Sequence, residues 1–118
     1  MDLSIVSQDA DVTQIKVGGR ITQRQLANTA DAIVDLLGPD AYKLKILLDM
    51  RDAEFLDSSG ISWLLIVHKR CREQGGKFVL FALPPMVSNV LKILRMQLVF
   101  DIANTQEEAL KKAQGETA

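Results

Sequence analysis

The 118-residue sequence has few of the residues on which metal-built and disulfide-built small proteins depend. It contains one cysteine, Cys71, and one histidine, His68. A single thiol excludes an intrachain disulfide, and one thiol with one imidazole falls short of a structural zinc set. Aromatic residues make up 5% of the chain and the net charge is −1. That excludes neither sign of local patch, but it provides no basic excess and no stacking platform for nucleic acid. It also gives no overall attraction to an anionic membrane. No apolar run, Trp63 to Val67 and Phe78 to Leu83 included, approaches the ~20 residues that a transmembrane helix needs. Met1-Asp2-Leu3-Ser4 lacks the basic stretch and apolar core of a signal peptide. The expectation is a soluble, cytoplasmic chain with neither nucleic acid nor a membrane as a direct partner.

What is present suits one globular domain over residues 1–118. Hydrophobic residues make up 47% and charged residues 25%, enough for one core. Leu3 to Val6 and Val12 to Val17 read as a strand hairpin across the turn Gln8-Asp9-Ala10-Asp11, with Gly18-Gly19 ending the second strand. Thr22 is placed to cap a helical stripe of Leu26, Ala30, Ile33, Val34 and Leu37, which Gly38-Pro39 stops. Leu44 to Leu48 is a dense apolar run ending at Asp49, as in a strand covered on both faces. A helix follows from Asp57-Ser58-Ser59-Gly60 to the basic turn before Gly75-Gly76. Phe78 to Ala82 reads as a strand, and Pro84-Pro85 opens a helix. Leu98 to Ile102 reads as a last strand. Thr105 and Glu108 form a capping box for a final helix over 106–113, and Gly115 to Ala118 reads as a frayed tail. The order β-β-α-β-α-β-α-β-α predicts an α/β fold with a mixed, mostly parallel sheet and helices packed against it.

Enzymatic chemistry finds little support. His68 lies ten positions past Ser58 on the same helix, about 15 Å away, too far to act as its base. It reads as a helix-end residue near the C-terminal dipole, and Cys71 as a small packing residue. Neither a P-loop nor a G-x-G-x-x-G spacing occurs, and no cofactor is implied. Asp49, Asp52, Glu54 and Asp57 read as caps and turns rather than as a cation site.

The informative segment is Phe55-Leu56-Asp57-Ser58-Ser59-Gly60-Ile61. Taken alone it is good N-cap chemistry. One serine is expected to satisfy the free N–H groups of the first turn, and the second serine then has no such job. A hydroxyl there is also a workable switch. A phosphate carries about −1.5 to −2 charges near neutral pH, and a helix N-terminus tolerates that charge. The fold would persist while its surface changed sign locally.

Leu48-Asp49-Met50-Arg51-Asp52-Ala53-Glu54-Phe55-Leu56-Asp57-Ser58-Ser59-Gly60 resembles the strand, loop and phosphorylation motif of the STAS-domain anti-sigma factor antagonists. Gly19-Arg20-Ile21, Gly75 to Leu80 and Pro85 to Leu91 are similar to other parts of that family. The resemblance implies a non-enzymatic, partner-switching role. The implied partners are an anti-sigma factor serine kinase, which phosphorylates the antagonist with ATP and so ends binding, and a PP2C-type phosphatase that reverses this. The phosphorylated residue maps to Ser58, with Ser59 as the alternative. The implied partner-binding residues are Asp57, Ser58, Ser59, Gly60, Ser62 and Trp63. Thr22 stands where the family often has an aspartate, and Ser62-Trp63 where small residues are common. A glycine common after the third helix is missing near Arg95-Met96-Gln97. Trp63 is a core residue if buried and a natural partner anchor if exposed. Two other readings stand beside this one: an unphosphorylated STAS module of another signalling or lipid-transport assembly, and a small-molecule or nucleotide sensor.

Overall fold

The computed structural model describes residues 1–115. Strands β1 (Asp2–Gln8) and β2 (Thr13–Ile21) form the hairpin. Its turn is held by Asp9, whose Oδ1 accepts from the N–H groups of Asp11 and Val12 at 2.9 and 2.8 Å. β3 (Lys45–Leu56), β4 (Lys77–Phe81) and β5 (Asp101–Ala103) then add in parallel, giving a sheet of order β1-β2-β3-β4-β5.

Each new parallel strand lies on the same side of the previous one. Right-handed crossovers therefore bring every connecting helix to one face of the sheet. These helices are α1 (Gln23–Leu26) and α2 (Ala32–Leu37) between β2 and β3, α3 (Ser58–Gln74), and α4 (Pro85–Ile93). Side chains alternate along a strand, so one run feeds two cores. Ile46, Leu48, Phe78 and Leu80 meet Ile61, Leu64 and Leu91 on the helical face. Leu47, Val79 and Phe81 point the other way, onto Ala109 and Ala113 of α5 (Gln106–Ala113). Half of the expected capping box of α5 forms: Thr105 Oγ1 accepts from the Glu108 N–H at 3.2 Å, but the Glu108 carboxylate accepts from the Asn104 N–H at 3.0 Å, one residue before the cap.

Several sequence expectations are corrected. The stripe from Leu26 to Leu37 is two short helices, not one. Asp31 starts the second by accepting from the N–H groups of Ile33 and Val34, and the Thr22 side chain makes no cap bond. Gly18-Gly19 does not end β2. Gly18 lies opposite Asp52 and Gly19 opposite Ala53, in a bulged stretch where Gly19 has φ +78°. With β2 continuing beside it, β3 runs on past Asp49 to Leu56. The last strand begins only at Asp101: Met96–Leu98 is a 3₁₀ turn and Leu98 is 79% exposed. Arg95 adopts φ +58°, a left-handed conformation, at the place where the resemblance expects a glycine. His68 is buried edge-on against Phe100 rather than lying at an exposed helix end, whereas Cys71 is the buried packing residue expected. Of the tail read as frayed, residues 116–118 lie outside the described residues.

Candidate functional site

Asp57 organises the start of α3. Its Oδ1 accepts from the Gly60 N–H at 2.9 Å and its Oδ2 from the Gln23 N–H at 3.2 Å. One carboxylate thus caps α3 and also supplies the first N–H of α1, the partner that Thr22 fails to provide. These bonds, that from Gly60 foremost, hold its carboxyl below the usual carboxylate range. The Asp57 N–H donates to the Ile21 carbonyl, which ties the same residue to the end of β2.

Gly60 is buried and permits the close approach of α3 to the sheet. A Cβ there would come within 3.0 Å of the Ile21 carbonyl oxygen and 2.5 Å from Leu56 Cδ1. The helix start is therefore clamped twice, by a carboxylate and by a glycine contact.

Ser58 is the first residue of α3 and is exposed. Among the described residues its hydroxyl makes no side-chain hydrogen bond, because the cap is already supplied by Asp57. Ser59 is half-buried, and Ser62 is exposed one turn further on. Trp63 is half-buried, with its ring against the helical-face core. Ser58, Ser62 and Trp63 line a groove of about 440 Å³ between α3 and the α1–α2 segment, closed by Leu26, Ala30 and Ile66. Asp57 and Gly60 stand behind this wall and set its position.

At the far end of the groove lies a cluster that no local pattern announces. Tyr42 Oη donates to the Asp31 carboxylate at 2.8 and 2.9 Å, and Arg70 pairs with the same carboxylate at 2.8 Å. The Arg70 guanidinium also lies 5.6 Å from the centre of the Tyr42 ring. Burial is the main cause that pushes the Tyr42 phenol up to about 12. Sequence separations of 11 and 39 residues hide this cluster from a linear reading. A signal for part of the groove was present: Ser58, Ser62, Ile66 and Arg70 follow one another at i+4 and so share one face of a helix.

Among the described residues, no side-chain base is hydrogen-bonded to the Ser58 hydroxyl. Both oxygens of Asp57 are engaged by backbone N–H groups, and His68 is about 15 Å along the helix. What the site offers is an exposed hydroxyl beside a half-apolar groove, on a helix start that keeps its shape. Among the described residues, no helix is long and apolar enough to cross a membrane.

Comparison with known proteins agrees with this geometry. The STAS domain model matches residues 6–109. BtrV of Bordetella bronchiseptica, whose name contains the words anti-sigma factor antagonist, is 31% identical over 70 residues. That match takes in 59% of this chain and 60% of BtrV, so it spans less than two-thirds of the relative's length. An anti-sigma-factor antagonist (STAS) domain protein from Planctomyces limnophilus superposes with a TM-score of 0.76 at 25% identity, covering 97% of this chain and 99% of that one. The anti-sigma factor antagonist SpoIIAA in its unphosphorylated form has the same fold, with a TM-score of 0.72 at 18% identity over 99% of this chain and 100% of that one. With its mixed sheet, helical crossovers and clamped Asp-Ser-Ser-Gly helix start, this chain belongs to the STAS domain family.

Proposed function

We propose that this chain is an anti-sigma factor antagonist that works by partner switching. Unphosphorylated, it binds an anti-sigma factor that is also a serine kinase. Phosphorylation of Ser58 ends that binding, and a PP2C-type phosphatase restores it.

The observation that carries this reading is the division of labour at the start of α3. Asp57 caps the helix, so the exposed Ser58 hydroxyl is free of structural duty. A phosphate added there meets the positive end of a 17-residue helix, which accommodates it, and the neighbouring Asp57 charge, which repels it outward. The scaffold stays folded while the rim of the groove gains about two negative charges. Ser58, Ser62 and Trp63 then serve as contact residues, while Asp57 and Gly60 position them. Desolvating a new dianion against a docked partner is unfavourable, which accounts for release.

The test is phosphorylation by the cognate serine kinase with ATP, read by intact-protein mass. One phosphate is expected on the wild type and on Ser59→Ala, and none on Ser58→Ala. Ser58→Asp is expected to bind the kinase at least about tenfold more weakly than the wild type, a change of ~1.4 kcal/mol. Modification confined to Ser59, or equal binding by Ser58→Asp, would overturn the assignment.

A further inference from the structure

The connection from α4 to β5 holds the most exposed of the large apolar side chains. Among the described residues nine such side chains are exposed, and four of them, Ile93, Leu94, Leu98 and Val99, fall within seven consecutive residues. Ile93 is 80% exposed and Leu98 79%. Elsewhere, Phe55 lies under the Arg20 guanidinium and Ile66 lines the Ser58 groove, so those two have a place. The segment is a built tip. The N–H groups of Leu94, Arg95, Leu98 and Val99 donate to the carbonyls of Val90, Lys92, Arg95 and Met96 at 2.9–3.3 Å. Met96 and Phe100 pack into the core beneath it. The turns thus hold four apolar side chains in water, and a cluster of this kind on a folded domain marks a contact surface.

Charge around the tip has one sign. Between Glu73 and Asp101 the sequence holds Lys77, Lys92 and Arg95 but no carboxylate. Lys92 and Arg95 are exposed among the four apolar residues themselves. Val99 also borders a recess shared with Arg72 and Lys77, where Asp101 is the one acidic residue. Asp9 and Asp11 of the hairpin turn line a different recess, together with Lys43 and Lys45. A two-fold contact of the tip with a second copy would set Lys92 and Arg95 of one chain toward those of the other, which disfavours that occupant. A protein partner would have to supply a separate hole for each side chain that stands four-fifths clear of the surface. A bilayer interface accepts such shapes without preformed holes and keeps cations at the level of its headgroups.

We propose that this tip docks on an anionic lipid bilayer. Ile93, Leu94, Leu98 and Val99 enter the boundary between headgroups and acyl chains, while Lys92 and Arg95 lie among the lipid phosphates. The net charge of −1 gives the whole chain no such attraction, so the attraction belongs to the tip. Crossover helices run antiparallel to the strands they connect. The start of α3, with Ser58, therefore lies at one end of the sheet and the close of α4 at the other, about 25 Å away along a 17-residue helix. A chain docked by the tip keeps its Ser58 groove turned away from the lipid.

The test is co-sedimentation of the full chain with vesicles of equal parts phosphatidylglycerol and phosphatidylcholine, and with pure phosphatidylcholine vesicles beside them. Binding is expected to the anionic vesicles, at least about tenfold tighter than to the neutral ones and weakened by salt. The pairs Ile93→Ser with Leu98→Ser, and Lys92→Gln with Arg95→Gln, should each lower the partition coefficient at least about tenfold. All four side chains are exposed, and unchanged thermal melting would verify that the variants fold. No sedimentation with anionic vesicles would overturn the proposal. So would binding that either pair leaves intact, or a concentration-dependent dimer that the serine pair abolishes. Phosphorylation of Ser58 is read in solution without vesicles and should proceed in both variants, so the two proposals fail independently.

Discussion

Gly60→Ala sets two physical effects against each other and shows which one governs the start of α3. Position 60 is the third residue of a 17-residue helix. By helix propensity alone, alanine is favoured over glycine by about 1 kcal/mol. The structure predicts the opposite outcome. A Cβ at residue 60 would lie 2.5 Å from Leu56 Cδ1, about 1 Å short of ordinary contact, and within 3.0 Å of the Ile21 carbonyl oxygen. The leucine methyl can rotate away, but the carbonyl belongs to β2, in the middle of the fold. The helix start must therefore lift off the sheet. Overpacking of this kind costs ~1–3 kcal/mol, and a rigid backbone neighbour places it near the upper end. After subtracting the propensity gain, the net loss is about 2 kcal/mol, or roughly 8 °C in Tm for a chain of this size. Urea denaturation followed by the fluorescence of Trp63, the sole tryptophan, measures it. Ser62→Ala on the exposed face of the same helix is the control and should change stability by less than ~0.5 kcal/mol. If Gly60→Ala proved as stable as the wild type or more so, the close approach of α3 to β2 would not constrain the helix start, and the clamped position of Ser58 would lose its explanation.

Three further outcomes follow from the same structure. Ser58→Ala should leave the urea midpoint within the equivalent of ~0.5 kcal/mol, because Asp57 caps the helix; a loss above ~1 kcal/mol, the usual value of an N-cap, would show that Ser58 carries the cap instead. Arg95→Gly should stabilise the fold by several tenths of a kcal/mol up to ~1 kcal/mol, since the left-handed conformation strains any side-chain-bearing residue, and calorimetry would detect the rise in Tm; a fall would show that the arginine side chain compensates for its backbone. Burial pushes the His68 imidazole below its ordinary 6.5, with Asp101 opposing and Arg72 reinforcing the shift. Below pH 6.5 the unfolded chain takes up a proton that the folded chain resists, so this group's influence is absent above 6.5 and destabilises progressively as pH falls toward the folded value. His68→Leu should flatten that part of the stability–pH curve, and an unchanged slope would contradict the burial argument.

Local chemistry was legible along the chain wherever a feature depends on near neighbours. The Thr105 cap of α5, the proline that opens α4 and the left-handed Gly75 after α3 all act over a few residues. So did the order of strands and helices, because the period of the apolar residues changes between the two. The Asp-Ser-Ser-Gly segment could be placed at a helix start, but the sequence left open which of its side chains capped the helix.

Pairing between distant segments decided the rest. β3 continues past Asp49 because β2, 34 residues earlier at Gly18 opposite Asp52 and Gly19 opposite Ala53, runs beside it, and no local preference reports a neighbouring strand. The stripe after Thr22 broke into two helices because Asp57 and Asp31 each satisfy a separate set of backbone N–H groups. Tertiary packing also enclosed His68 beneath Phe100 and joined Asp31, Tyr42 and Arg70 at the end of the groove. Sequence alone thus determined the elements and the chemistry at their ends, since those energies arise within one or two turns. Only the folded chain determined which hydroxyl stays free and that the imidazole is buried, since both depend on groups that meet across the sheet.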